Sequence, residues 1–428
     1  VVIKMVAYAQ TMSADTVYDP RLVVTGVSFR TLDIDGRERL ARKAPDPERL
    51  AERLLTEGIA REAAVISTCN RFEIVSVGGE GGGLRRFFES LLELPEANHD
   101  ALYQYTDASA VRHLYRVSAS LDSMLVGEVQ ILGQVKKAYQ RAIEMGSVGS
   151  HLHHLFQSAF HVAKKVRTHT DIAQNGVSLS YVAVRLSQQI FSDLSKTSVL
   201  IIGSGEMAEL AALHLCSHGC RKIMVANRTV ERAAELAERF GGLAVSLGDV
   251  DRALEDADIV IGSISIDRPI LTSASVRSRG GSRPLFLIDL GVPRNFAPTL
   301  ADVDNVYLYN IDDLAAIAAE NKALRDAAAK EAEIVIEYGL MQFERWRKKL
   351  EASPAIVDMR ARIEHICRAE LSLGLPKTAE SQAETIERLA HVLSRRIGHE
   401  LTAVLERHIG VTSSDKDDPP FLLIPRTS

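Results

Sequence analysis

Ser67-Thr68-Cys69-Asn70-Arg71 gathers a thiol, two hydroxyls, an amide and a guanidinium between two apolar stretches, 63–66 and 72–77, that read as strands. A cysteine at the end of a buried strand suits nucleophilic chemistry, because the thiolate attacks and a cation such as Arg71 favours it over the thiol. The competing reading is a small buried hydrophobe, which describes most free cysteines. A second run with chemistry in it is Gly203-Ser204-Gly205-Glu206-Met207-Ala208, set between the buried strand 198–202 and a helix stopping near Gly219. This is the G-x-G-x-x-A form of the dinucleotide fingerprint in its strand-turn-helix context. Gly203 permits the tight turn, Gly205 lets a pyrophosphate approach the backbone, and Ala208 keeps helix and strand close. The helix N-terminus faces the negative charge. The next strand, 222–226, ends in Asn227-Arg228-Thr229, with Arg232 beyond. An NAD site puts an acidic side chain there; these residues suit a 2′-phosphate and favour NADPH.

The elements that carry these residues fall into three segments. To about residue 170, strands at 22–28 and around Cys69 mix with helices near 47–57, 84–92 and 109–118, as in a compact α+β domain. Periodicity makes 124–146 helical, with Val129, Leu132, Val135, Tyr139, Ala142 and Ile143 on one side. Gln130 and Gln134, four apart, share another face. Helix continues from 151 to about 191, clearest over 178–190. The histidines at 151, 153, 154, 161 and 169 lack a Cys or carboxylate to complete a ligand set, so no metal site is expected.

The middle segment is Rossmann-like, and further parallel strands are expected at 258–261 and 285–289, the latter ending in Asp289-Leu290-Gly291-Val292-Pro293-Arg294. In the third segment, Asn310 as N-cap and Asp313 in the first turn start a helix that Ser353-Pro354 should stop. About 40 residues at 1.5 Å make a rod on the order of 60 Å, too long to bury in one globule. Helical stretches at 355–373 and 380–408 carry apolar stripes that need a partner, most simply a second copy.

The chain has 428 residues, 46% hydrophobic and 25% charged, enough for two or three ordinary globular domains. Its four scattered cysteines argue against a disulfide framework and for a reducing compartment. No apolar run approaches the roughly 18 to 20 residues of a membrane span. The net charge of −5 does not suggest a nucleic-acid binder, yet Lys136, Lys137 and Arg141, and Lys164, Lys165 and Arg167, form local basic clusters. A cytoplasmic protein is the default expectation.

The motifs together resemble the glutamyl-tRNA reductase family over about residues 22–410. The markers are S-T-C-N-R at 67–71, L-D-S-M-L-V-G-E-V-Q-I-L-G-Q-V-K at 121–136, G-S-G-E-M-A at 203–208, A-N-R-T at 226–229 and V-P-R at 292–294. The resemblance implies a multidomain α/β and α architecture: a flexible start (1–20), an α+β catalytic domain that binds glutamyl-tRNA (21–170) and an NADPH domain (171–309). A spinal helix with a helical dimerisation domain (310–410) and a disordered tail (411–428) follow. It implies reduction of glutamyl-tRNA to glutamate-1-semialdehyde, the first step of five-carbon tetrapyrrole synthesis.

By the same resemblance Cys69 takes the glutamyl group from tRNA as a thioester, a better hydride acceptor than an ester. Thr68, Asn70 and Arg71 line the glutamate site, Arg71 meeting the α-carboxylate. Ser123, Glu128, Val129, Gln130 and Gln134 match further substrate positions, and Glu128 could pair with the α-ammonium. Residues 203–208 with Asn227, Arg228 and Thr229 hold NADPH, and glutamyl-tRNA, a second subunit and the following aminomutase are the partners. Three departures stand out. Tyr105 takes the position of a histidine that many members carry before the helix near Ser109, Val129 replaces Pro or Gly, and Phe29-Arg30 replace His-Lys. Two rival readings remain. A shikimate-type NADP dehydrogenase leaves S-T-C-N-R and the long helix unexplained. A non-catalytic NADPH- and tRNA-binding dimer is motivated by Tyr105 and opposed by the intact Cys69, Arg71 and Ser123.

Overall fold

The computed structural model describes residues 21–78, 81–92, 101–124, 127–128, 130–170, 172, 179–191, 193–203, 205–279, 283–319, 322–374 and 380–408. The expected mobile start (1–20) and disordered tail (411–428) lie outside these residues, as do Val129 and Ser204. The chain divides into two compact units, one ending at Glu333 and the other beginning at Ile334.

The first unit opens with β1 (Leu22–Ser28), α1 (Ile34–Lys43), α2 (Pro47–Thr56) and the hairpin of β2 (Glu62–Ser67) and β3 (Arg71–Val77). Then come α3 (Gly81–Leu92), β4 (Tyr103–Thr106) and α4 (Asp107–Ser118). The strands make an antiparallel sheet in the order β2-β3-β1-β4. Asp33 caps α1 by accepting from the Gly36 N–H at 2.8 Å. Asp46 caps α2 by accepting from the Glu48 N–H at 2.9 Å, with Pro47 at the first helical position. Ser67 pairs with Phe72, so residues 68–71 form the hairpin turn. Thr68 fixes that turn, its hydroxyl accepting from the N–H groups of Asn70 and Arg71 at 3.2 and 3.1 Å.

Helices α5 (Gln130–Glu144), α6 (Ser150–His169) and α7 (Leu179–Ile190) follow. The expected helix over 124–146 starts six residues late. Gly127 has φ +92°, which α-helix does not allow, and its N–H donates to the Ser120 carbonyl at 3.0 Å. Ser123 and Glu128, within the described residues 120–124 and 127–128, thus lie outside the helix. Glu62 of β2 anchors α6 by accepting from the N–H groups of Gly149 and Leu152 at 3.0 and 2.8 Å.

A second sheet is built from β5 (Ser198–Ile202), α8 (Glu206–Ser217), β6 (Lys222–Asn227), α9 (Val230–Arg239), β7 (Leu243–Ser246), α10 (Val250–Asp256) and β8 (Ile259–Gly262). It is completed by α11 (Ser273–Arg279), β9 (Leu285–Asp289) and β10 (Val306–Asn310). All six strands are parallel, in the order β10-β9-β8-β5-β6-β7. This is the doubly wound order, whose switch point lies between β5 and β8. Both faces are covered, so β5 is apolar from Val199 on. Val199 and Ile201 enter one core with Ala208, Ala211 and Leu215, while Leu200 and Ile202 enter the other with Val260, Leu287 and Phe296.

β10 runs directly into α12 (Ile311–Ala319). Asn310 Oδ1 accepts from the Asp312 N–H at 2.8 Å, and Asp313 Oδ2 accepts from the Asn310 N–H at 2.9 Å, a reciprocal cap of the kind the sequence suggested. The long helix departs from expectation. α12 ends at Ala319, and α13 (Lys322–Gly374) runs 53 residues, straight through Pro354. A proline inside a helix removes one donor and costs about 3 kcal/mol or more. Flanking stretches rich in Ala, Glu, Lys, Arg and Leu sustain the helix across it. α14 (Glu380–His408) follows. Within the second unit, Arg360 of α13 donates to Thr402 Oγ1 of α14 at 3.1 Å, so the two pack against each other.

Candidate active site

Cys69 occupies the tip of the β2–β3 turn and borders two cavities. One, of about 310 Å³, is lined by Arg37, Leu40, Thr68 and Cys69 from the antiparallel-sheet side, and by Ser265, Asp267, Val292 and Pro293 from the ends of β8 and β9. The other, of about 20 Å³, is polar. It brings together Thr68, Cys69, Asn70, Arg71, Ser123, Glu128, Gln130 and Gln134, which are the described residues expected to contact substrate, with Met124, Ile131 and Met207.

Arg71 is not the cation beside the thiol. Its side chain turns inward, where Nη1 donates to Glu73 Oε1 at 2.8 Å and Nη2 to the Asp122 carbonyl. The reason is strand alternation: Arg71 and Glu73 lie two apart on one face of β3. The guanidinium near Cys69 is Arg37 of α1, which donates to Asn70 Oδ1 at 2.9 Å and to Asp312 Oδ1 at 2.5 Å. Burial, then the Glu128 carboxylate, pushes the Cys69 thiol up to about 11, and Arg37 opposes them.

Glu73 is the hub of a buried network. Its Oε1 accepts from Arg71, from the Tyr103 hydroxyl at 2.5 Å and from His113 Nε2 at 2.7 Å. Burial alone would raise this carboxyl, yet Arg71 and then His113 hold it down to about 2. His113 is the residue the sequence reading passed over. Tyr105 stacks on its ring with centroids 4.5 Å apart. An imidazole therefore stands beside the tyrosine that had suggested a missing histidine.

Glu206 and Met207, expected beside dinucleotide phosphates, also bear on the thiol's surroundings. Met207 lines the small cavity with Cys69. Burial, then Glu206, raises the Glu128 carboxyl to about 7. Three polar atoms around Cys69, namely Arg37 Nε, Arg71 Nε and Ser123 Oγ, are buried with no hydrogen-bond partner among the described residues. Orphaned polar atoms at one spot mark a place where a polar ligand completes the bonding.

The nucleotide loop fits a dinucleotide. Gly203 has φ +108°, and a Cβ there would lie 2.5 Å from the Ser263 carbonyl oxygen; one at Gly205 would lie 2.6 Å from Ser263 Oγ. The first turn of α8 has no side-chain cap, which leaves its N–H groups for an anion. Ala208 is fully buried, and Asn227 is buried at the end of β6. Arg228 and Thr229 are exposed, and the Arg228 guanidinium is held by the Ser265 carbonyl at 3.2 Å.

Residues 25–170 match the family model for the N-terminal domain of glutamyl-tRNA(Glu) reductase, and 331–416 that for its dimerisation domain. Residues 185–317 match the shikimate/quinate 5-dehydrogenase model. Glutamyl-tRNA reductase of Geobacter metallireducens is 41% identical over 397 residues, 90% of this chain and 92% of the relative. The chain belongs to the glutamyl-tRNA reductase family. The family's enzyme from Nitratidesulfovibrio vulgaris is 40% identical over 417 residues, 95% of this chain and 93% of that protein. The solved glutamyl-tRNA reductase of Methanopyrus kandleri is 29% identical, covering 91% of this chain and 97% of its own, with a TM-score of 0.47. A shikimate-type dehydrogenase accounts for the nucleotide sheet alone; the family accounts for Cys69 and the C-terminal helices as well.

Proposed function

We propose that this chain reduces the glutamyl ester of tRNA(Glu) to glutamate-1-semialdehyde with NADPH, the first step of five-carbon tetrapyrrole synthesis. The observation that carries the reading is 41% identity to a glutamyl-tRNA reductase across 90% of the chain. The geometry supports it, because the thiol borders a cavity walled partly by loops at the C-terminal ends of nucleotide-sheet strands.

The Cys69 thiolate attacks the glutamyl carbonyl and expels the terminal ribose hydroxyl, leaving a thioester on the protein. Thr68 holds the turn that presents the sulfur. Asn70 orients Arg37, while Arg71, Ser123, Glu128, Gln130 and Gln134 line the small polar cavity for the glutamyl group. Arg71 Nε and Ser123 Oγ are donors ready for its carboxylate. Gly203, Gly205 and the first turn of α8 hold the pyrophosphate, and Asn227, Arg228 and Thr229 the 2′-phosphate side. When bound, the reduced nicotinamide supplies the hydride that converts thioester to aldehyde. Exclusion of water by Met124, Met207 and Val292 protects the thioester from hydrolysis.

Residues 331–416 join two copies as a homodimer. The unstable aldehyde passes to the aminomutase that follows. A charged-tRNA substrate and free cysteines support a cytoplasmic setting for the reaction. Tyr105 does not favour a non-catalytic reading, since His113 stands against it.

Turnover of purified protein with glutamyl-tRNA and NADPH tests the proposal, beside Cys69→Ser. Semialdehyde from the wild type and none from the variant is expected. Binding of both substrates without product would promote the non-catalytic reading.

A further inference from the structure

The Arg37 guanidinium is 4% exposed, and it makes two bonds and lacks a third. Nη1 holds Asn70, the residue after the nucleophile, and Nη2 holds Asp312, which follows β10 of the nucleotide sheet. Nε is buried without a partner among the described residues. Arg37 and Cys69 line the same cavity of about 310 Å³. Next along α1, Glu38 accepts from the Arg294 N–H at 2.5 Å and from Arg294 Nε at 2.9 Å. A clamp between the two sheets needs only such pairs. It gives no reason to bury a third donor unmet, which costs about 1–3 kcal/mol.

We infer that Arg37 is the charge that readies Cys69 for acylation, and that Asp312, reaching over from the nucleotide sheet, holds that charge in check. Other charged groups near the sulfur work against ionisation. Glu128 comes from the loop before α5, with Glu206 of α8 behind it, and Asp46 and Asp267 line the larger cavity. Arg71 is committed to Glu73 and Asp122. That leaves Arg37 to favour thiolate.

In the acyl transfer, sulfur forms a bond to the glutamyl carbonyl carbon and the carbonyl oxygen takes the negative charge. Arg37 Nε is the unmatched donor for that oxygen. The intermediate collapses by breaking the bond to the ribose oxygen, which ends with the proton that the thiol gave up. This acylation step rests on the glutamyl-tRNA reading; the charge assignment does not.

The test is alkylation of Cys69 by iodoacetamide in the full chain, followed on the Cys69 peptide by mass spectrometry from about pH 7 up through the thiol's midpoint, without tRNA or nucleotide. Arg37→Gln should move the profile upward by about one unit, a roughly tenfold loss of rate near neutral pH. Arg37→Lys should recover part of it. Asp312→Asn should move the profile downward, and should do so only while Arg37 is present, so the double variant should match Arg37→Gln. If Arg37→Gln does not fold, Arg37→Met, which keeps the length of the stem without its charge, takes its place as the background. A clamp with no electrostatic role would leave the midpoint unmoved in Arg37→Gln, or would let Asp312→Asn shift it equally in both backgrounds. Either result overturns the inference. Because no tRNA is used, failure of reductase turnover would leave this outcome intact.

Discussion

Glu73 concentrates three partners on one buried oxygen, and its removal strands a guanidinium. Glu73→Gln is expected to cost about 3–5 kcal/mol in urea denaturation, because Arg71 loses the nearer of its two counter-charges inside the protein. The carboxyl is held near 2 against a usual 4.5. Its contribution is therefore full above 4.5 and drains away as pH falls toward about 2. Glu128 runs the other way, being raised to about 7 from 4.5, so the folded arrangement loses stability as pH rises through that interval. Glu206→Gln should raise the melting temperature more at about pH 8 than at about pH 5, since a second carboxylate no longer opposes ionisation there. These residues also show what a sequence conveys. Thr68, Asn70, Ser123, Glu128, Gln130 and Gln134 lie in two short runs and were legible together. Arg37 is a distant partner of Cys69, and neighbours along the chain made Arg71 look like its cation. His113 was hidden because it sits on a mostly apolar face of α4.

At the level of elements, two glycines predict opposite outcomes. Gly203→Ala puts a methyl 2.5 Å from a backbone oxygen at φ +108°, and should abolish dinucleotide binding in a fluorescence titration. Gly133→Ala, inside α5 with open space at its Cβ, should add about 0.5–1 kcal/mol in chemical denaturation. The central strands β5, β6, β8 and β9 were readable because both their faces are buried and their runs are apolar. β7 and β10 were missed: they edge the sheet, and their partial exposure relaxes the demand for continuous apolar residues. The periodicity of 124–146 carries the expected helix back over Met124 and Glu128, in register with α5. The positive φ of Gly127 breaks it there.

On the scale of the whole chain, the second unit leaves much of its apolar surface uncovered. Leu389, Leu393, Ile397, Leu401 and Val404 of α14 are each at least 40% exposed, spaced to share one side of a helix. Such a stripe suits a second copy. Leu393→Glu with Ile397→Glu should turn a dimer into a monomer in sedimentation velocity, while nucleotide affinity stays unchanged. In the first unit, the small cavity beside Cys69 has room for about one water molecule, and Met207 of the nucleotide loop is part of its wall. A glutamyl group is larger than that space, so its walls must part before it can be filled. One side chain from the first turn of α8 thus ties the thiol's small cavity to the glycine-rich loop. Met207→Ala should enlarge that space and let glutamyl-tRNA acylate Cys69 faster in the absence of nucleotide.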